Sequence, residues 1–208
     1  MFAHRCVSLA LLRKERDKMK TRNIMIVGVG GQGSLLASKL LGSLLVNEGY
    51  DVKVSEVHGM SQRGGSVVTY VRFGEKVYSP VISEGEADFI ISFEKLEAAR
   101  HAACLKKDGK IIVNTQTIDP MPVITGAAQY PHDVLSELKA KGVFVDDIDA
   151  LSMAEEAGNA KSVNIVLMGR LAKYFDIEYD KWIEAIKRSV KPQFVESNIK
   201  AFELGYNY

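Results

Sequence analysis

Gly28, Gly30 and Gly33 stand at the G-x-G-x-x-G spacing directly after Ile24-Met25-Ile26-Val27, an unbroken apolar run. The run reads as a strand buried on both faces. The glycines would then give a tight turn, a close backbone approach to a ligand, and close packing of the following helix on the strand. From Ser34 to Val46, Leu35, Leu36, Leu40, Leu41, Leu44 and Leu45 recur at helical spacing. The backbone N–H groups of that helix's first turn point back at the turn and suit an anion such as a phosphate. Gly28, Gly30, Gly31, Gln32 and Gly33 are therefore the first candidate binding residues; a strand-to-helix turn without a ligand stays open as the alternative.

A second group lies at His58-Gly-Met-Ser-Gln-Arg-Gly-Gly65. Its glycines free the backbone, and Ser61, Gln62 and Arg63 place donors beside Gly64 and Gly65, a composition suited to an anionic or polar ligand. A solvated loop with one surface arginine is the competing reading. Glu56, at the end of an expected strand, lies ~20 residues beyond the glycines, where a dinucleotide fold places its ribose-binding acid. A plain strand-end residue fits Glu56 equally well.

These groups need a frame that brings them together. Asp51–Val57, Val67–Phe73, Ala87–Phe93, Lys110–Asn114 and Val143–Ile148 read as further strands, with Val77–Ser79 as a short antiparallel partner after the Gly74 turn and another short strand at 123–125. Helices are expected from Glu94 to about Leu105, with a turn at Asp108-Gly109, and from His132 to Lys141. The C-terminal region reads as helical at Ala150–Ala157, Ser162–Phe175, Asp180–Val190 and Gln193–Leu204. The βα alternation predicts an α/β fold: a single Rossmann-like domain with a mainly parallel sheet, flanking helices and a helical C-terminal region. Ligands in such sheets bind beyond the carboxyl ends of the strands, which makes Glu94 and Asn114 candidates by position. A helix-initiating acid and a strand-end turn residue are their simpler roles. Asn164, in an apolar helical run, would need partners for a buried amide.

Composition narrows the function classes. The 208 residues are 47% hydrophobic and 25% charged with a formal net charge of +1, ordinary for one soluble domain. No apolar run approaches the ~18 residues of a membrane span. Residues 1–22 hold seven of the 27 basic residues and two of the 26 acidic ones, leaving 20 against 24 in the body. A near-neutral to acidic body argues against a nucleic-acid surface. The first 22 residues read as an N-terminal extension, expected to be disordered, and Met19 reads as the natural start, which leaves residues 1–18 without a fold role. Two cysteines, Cys6 and Cys104, cannot supply the ligands of an iron–sulfur cluster or a structural zinc. Cys104 reads as a small buried apolar residue, and a reducing cytoplasm is the expected compartment. The four histidines show no metal-ligand spacing.

The glycine turn Gly28–Gly33, the His58–Gly65 segment and the closing Lys191-Pro-Gln-Phe-Val-Glu-Ser-Asn-Ile-Lys-Ala-Phe-Glu-Leu-Gly205 together resemble the gamma-type subunits of 2-oxoacid:ferredoxin oxidoreductases. The resemblance covers 23–206, and the His-Gly-Met-Ser-Gln-Arg form is similar to the indolepyruvate branch. It implies a gamma-type catalytic domain over 23–208 that belongs to a complex converting a 2-oxoacid, coenzyme A and oxidised ferredoxin to acyl-CoA, carbon dioxide and reduced ferredoxin. It also implies that thiamine diphosphate and the iron–sulfur clusters reside on a larger partner subunit, with no catalytic residue of its own on this chain. Coenzyme A is then a candidate for the glycine turn and the second loop. The alternatives are an NAD-binding dehydrogenase or reductase, for which no acid–base group stands out, and a non-enzymatic nucleotide-binding regulatory module.

Overall fold

The structure is a computed structural model that describes residues 20–58 and 65–208. The expected extension up to Met19, and Ser61, Gln62, Arg63 and Gly64 of the second loop, lie outside the described residues. The strands are β1 (Arg22–Val29), β2 (Asp51–His58), β3 (Ser66–Gly74), β4 (Ala87–Ser92), β5 (Leu105–Asn114) and β6 (Phe144–Ile148). The helices are α1 (Ser34–Asn47), α2 (Lys95–Arg100), α3 (Met121–Ile124), α4 (Val134–Ala140), α5 (Ala150–Glu156), α6 (Val163–Ala172), α7 (Tyr179–Ser189) and α8 (Val195–Asn207).

The six strands form one sheet in the order β2-β3-β1-β4-β5-β6. β1, β4, β5 and β6 are parallel neighbours, whereas β3 is antiparallel to both β1 and β2. The mainly parallel α/β frame is present, with one strand inserted against it. β2 runs parallel to β1 but is separated from it by β3, because the chain turns back after His58 and fills the gap beside β1.

Strand alternation builds two cores. Ile24, Ile26, Phe89, Ile91 and Ile112 face α1, α6, α7 and α8, with Trp182 and Phe202 fully buried among them. Met25, Val27, Ile90, Ile111 and Val113 face the other way, where Ala98 of α2 and Leu138 of α4 cover them. β1 carries apolar residues at consecutive positions because both of its faces are covered. The first face holds most of the helical mass, and α6 is buried continuously from Val163 to Gly169.

Several local expectations are corrected. Val77–Ser79 forms no strand; the Val77 N–H instead donates to Asp51 Oδ2 at 2.9 Å. Residues 123–125 are not a strand, since Pro120 caps α3 and Pro122 sits in its first turn, where a missing N–H costs nothing. The helix after Glu94 ends at Arg100 and passes through a 3₁₀ turn at Ala102–Cys104. Asp108 and Gly109 are not a turn between elements but an irregular stretch inside β5, where the register against β4 shifts between Ala87 and Phe89. Cys104 is half-buried rather than core, and burial, with Glu84 nearby, pushes its thiol pKa up.

Candidate functional site

The glycine turn sits at the carboxyl ends of β1 and β4, where the chain departs in opposite directions along the sheet. Gly28 makes the close approach: a Cβ there would fall 2.9 Å from Gln32 Oε1 and 2.9 Å from Phe93 Cβ. Gly31 and Gly33 hold φ of +104° and +91°, a region that costs an L side chain roughly 1–2 kcal/mol. The expected role of Gly33 in packing helix on strand is corrected. Its missing side chain makes room for Asn164 of α6, whose Nδ2 would lie 2.9 Å from a Cβ.

The Gln32 side chain folds back to hold the turn. Its Oε1 accepts from Val29 N at 2.7 Å, and its Nε2 donates to Phe93 O at 3.2 Å and to Gln116 Oε1 at 3.3 Å. Gly30 N donates to Gly65 O at 2.8 Å, so the glycine turn and the exit of the second loop are bonded to each other. The head of α1 carries no side-chain cap. Leu36 N and Ala37 N return to Gly33 O at 3.1 and 3.2 Å. The N–H groups of Ser34 and Leu35 have no hydrogen-bond partner among the described residues, as at any uncapped helix start.

Two cavities flank the turn, and Gly31 and Gly33 line both. The first, about 380 Å³, is bounded by Ser34, Leu35, Glu56 and His58. The second, about 470 Å³, is bounded by Leu36, Gln116, Lys161, Val163 and Asn164. Glu56 thus faces the glycine turn, with one oxygen 3.7 Å from His58 Nδ1 and the other buried without a hydrogen-bond partner among the described residues. Lys161 forms no ion pair among the described residues and is exposed at the rim of the second cavity.

Glu94 and Asn114 are brought to the same end of the sheet, but as structural groups. Glu94 is 1% exposed and caps α2, accepting from Glu97 N at 2.9 Å. Its second oxygen accepts from Ile118 N at 3.3 Å and from the Tyr130 hydroxyl. Burial and that carboxylate push the Tyr130 pKa up. Asn114, fully buried, donates to Phe93 O at 3.2 Å and accepts from Ala150 N at 3.1 Å. Gln116 and Lys161 carried no sequence signal; Asn164 did, as an amide in an apolar helix.

A glycine turn, an uncapped helix start and two flanking cavities thus lie together at the carboxyl ends of β1 and β4. Comparison with known proteins is specific. Residues 23–208 match the family model described as pyruvate ferredoxin/flavodoxin oxidoreductase, and the chain belongs to that family. It is 47% identical over 195 residues to the indolepyruvate oxidoreductase subunit IorB of Thermococcus kodakarensis, across 90% of this chain and 95% of that one. The fold matches the crystal structure of a pyruvate oxidoreductase subunit from Thermotoga maritima with a TM-score of 0.68 at 20% identity, over 90% of this chain and 96% of the other. It also matches the 2-oxoglutarate:ferredoxin oxidoreductase of Magnetococcus marinus, solved with 2-oxoglutarate, coenzyme A and succinyl-CoA bound. There the TM-score is 0.66 at 18% identity, over 90% of this chain but 31% of the longer one. Among the described residues, no helix is long and apolar enough to cross a membrane.

Proposed function

We propose that the chain is the smaller subunit of an indolepyruvate-type oxidoreductase of the cytoplasm, active only with a larger subunit. The complex would oxidatively decarboxylate an aryl pyruvate, pass the electron pair to ferredoxin and transfer the acyl group to coenzyme A. The observation that carries this reading is the likeness to the Thermococcus kodakarensis subunit across 90% of this chain. The donor chemistry supports the division of labour: two cysteines in the whole chain do not fit a cluster that needs four ligands. The clusters therefore belong on the partner, and the likeness to the family puts thiamine diphosphate there with them.

On this reading the chain supplies a coenzyme A site. The N–H groups of Ser34 and Leu35 and the glycine backbone would hold the diphosphate, with Ser61, Gln62, Arg63, Gly64 and Gly65 completing it. An NAD-dependent enzyme would need an acid–base pair in the cavities; among the described residues Glu56 and His58 offer one, so NADH is the competitor ligand that tests this alternative. Purified alone, the chain should not reduce a viologen dye with indolepyruvate and coenzyme A, and addition of the larger subunit should restore turnover. Dye reduction by this polypeptide alone would refute the subunit assignment. In the complex, Arg63→Ala should raise the apparent requirement for coenzyme A by about tenfold or more, the worth of a charge-assisted hydrogen bond. Failure of assembly with an unchanged requirement would make Arg63 an interface residue.

A further inference from the structure

The start of β3 is tied to the glycine turn on one side and to a buried carboxylate on the other. Gly65 O accepts from Gly30 N at 2.8 Å, and the next residue, Ser66, pairs with Val29 at the end of β1. Ser66 is exposed, yet its hydroxyl donates to Glu97 Oε2 at 2.5 Å. Glu97 stands on α2, on the face of the sheet opposite α1, and is only 6% exposed. Its other oxygen lies 3.2 Å from Arg100 Nε, which balances its charge. His101 Nε2, 3.9 Å from Oε2, is beyond hydrogen-bond reach, so that oxygen is left to the serine.

Water would satisfy an exposed hydroxyl equally well. A buried acceptor braced by Arg100 adds direction, because it fixes the start of β3 and, one residue earlier, the carbonyl that takes the Gly30 N–H. Gln32 secures the opposite side of the turn through Val29, Phe93 and Gln116. Gly30 lies between these two ties and precedes Gly31, which lines both flanking cavities. Glu97 lines neither of them; with Val29, Ser66 and Arg100 it bounds another small cavity of about 130 Å³.

Resting on the coenzyme A reading above, we propose that Glu97 is a positioning residue for the coenzyme site: through the Ser66 hydroxyl it holds the Gly65 carbonyl on Gly30 N and keeps the backbone of the glycine turn set for the diphosphate. It acts from behind the turn and does not touch the coenzyme. Loss of the contact therefore changes the affinity for coenzyme A, and leaves the handling of the 2-oxoacid and the rate at saturation as they are.

Calorimetric titration of the assembled complex with coenzyme A, together with steady-state dye reduction from indolepyruvate, tests this role. Ser66→Ala should weaken coenzyme A by about threefold to tenfold, as expected for one hydrogen bond, with kcat and the KM for indolepyruvate changed less than about twofold. Ser66→Thr keeps the hydroxyl and should bind within about twofold of the wild type. Glu97→Ala should weaken coenzyme A as well, and the double variant should be no weaker than the worse single one, because both act through one contact. Ser66 is exposed, so Ser66→Ala should melt with the wild type, which separates lost binding from lost folding. Unchanged affinity in Ser66→Ala, a Ser66→Thr as weak as Ser66→Ala, or losses that multiply in the double variant each overturn the role. So does an equal rise in the KM for indolepyruvate, which would make the contact a general support of the complex. A wild-type complex that does not bind coenzyme A refutes the coenzyme A reading and this role with it; a wild type that binds, matched by both single variants, refutes the role alone.

Discussion

The Asn164 side chain donates through Nδ2 to the carbonyl oxygen of Gly33 at 3.2 Å, across 131 residues of chain. Its Oδ1 accepts from Ile165 N at 2.9 Å, and the residue is 2% exposed. One amide thus joins the buried helix α6 to the turn that opens α1, and it occupies the space a Gly33 side chain would take. Helix packing sets the shape of the site through this contact.

A double-mutant cycle measures the relationship. Gly33→Ala should cost about 2–3 kcal/mol, part from its positive φ and part from the clash with Asn164. Asn164→Ala should cost about 1–2 kcal/mol for the lost buried hydrogen bond. In the double variant the φ cost remains but the clash is gone, so urea denaturation should give a coupling of about 1 kcal/mol. Strict additivity would show that Gly33 is required for its backbone conformation only.

Helix α8 should prove equally sensitive at a glycine. A Cβ on Gly205 would fall 2.0 Å from the Val166 carbonyl oxygen, and one on Gly169 would fall 2.2 Å from that of Phe202. The α6 and α8 backbones therefore touch directly, and Gly205→Ala should cost at least about 3 kcal/mol by forcing them apart. Gly42, inside α1, is the contrast, since its Cβ would meet Val54 Cγ2 at an ordinary 3.5 Å. Gly42→Ala should gain up to about 1 kcal/mol from helix propensity. Thermal melts of the two variants should move in opposite directions.

These contacts mark where sequence reading ended. The apolar run at Ile24–Val27, the leucine spacing of α1 and the glycine turn are local signals, and each appears where the sequence puts it. The place of β3 between β1 and β2 is not local. Alternation at Val67–Phe73 says strand, but nothing in it selects β1 and β2 as partners over the nearby Val77–Ser79. At 123–125, β-branched residues suggested extended chain, and Pro120 and Pro122 started a helical turn instead. Gln32 was legible as part of the turn, while its bonds to Phe93 and Gln116 depend on where β4 and β5 end. The second cavity was illegible because Gln116 and Lys161 become neighbours of the turn only after α5 and α6 pack.

Stability should depend on pH through His101. Burial lowers its pKa from the ordinary value, with Arg100 acting in the same direction and Glu97 in opposition; its Nε2 lies 3.9 Å from Glu97 Oε2. Below the ordinary imidazole value of about 6.5, the unfolded chain binds more protons at this site than the folded one. The contribution is therefore complete above that value and is lost as pH falls through it towards the lowered native value. Urea midpoints measured from pH 8 to pH 5 should fall less steeply in His101→Gln than in the wild type. Identical slopes would mean that the ring titrates as it does in the unfolded chain.

The buried Glu94 carboxylate should fix the long connection after β5. It caps α2 with one oxygen and receives Ile118 N–H and the Tyr130 hydroxyl with the other. It therefore ties the chain between β5 and α4 to the end of β4. Tyr130→Phe removes one donor to a buried charged acceptor and should cost about 1.5–3 kcal/mol. Glu94→Ala removes the cap as well and strands the Ile118 N–H and the Tyr130 hydroxyl, so its cost should exceed that of Tyr130→Phe by at least about 1 kcal/mol. Amide exchange should localise the damage: protection should fall first at Glu97 and Ile118 in Glu94→Ala, while Ile24–Val27 in β1 keep theirs until global unfolding. If both variants melt with the wild type, the carboxylate is not the anchor of this connection, and the packing of Leu135 and Leu138 in the second core must hold it instead.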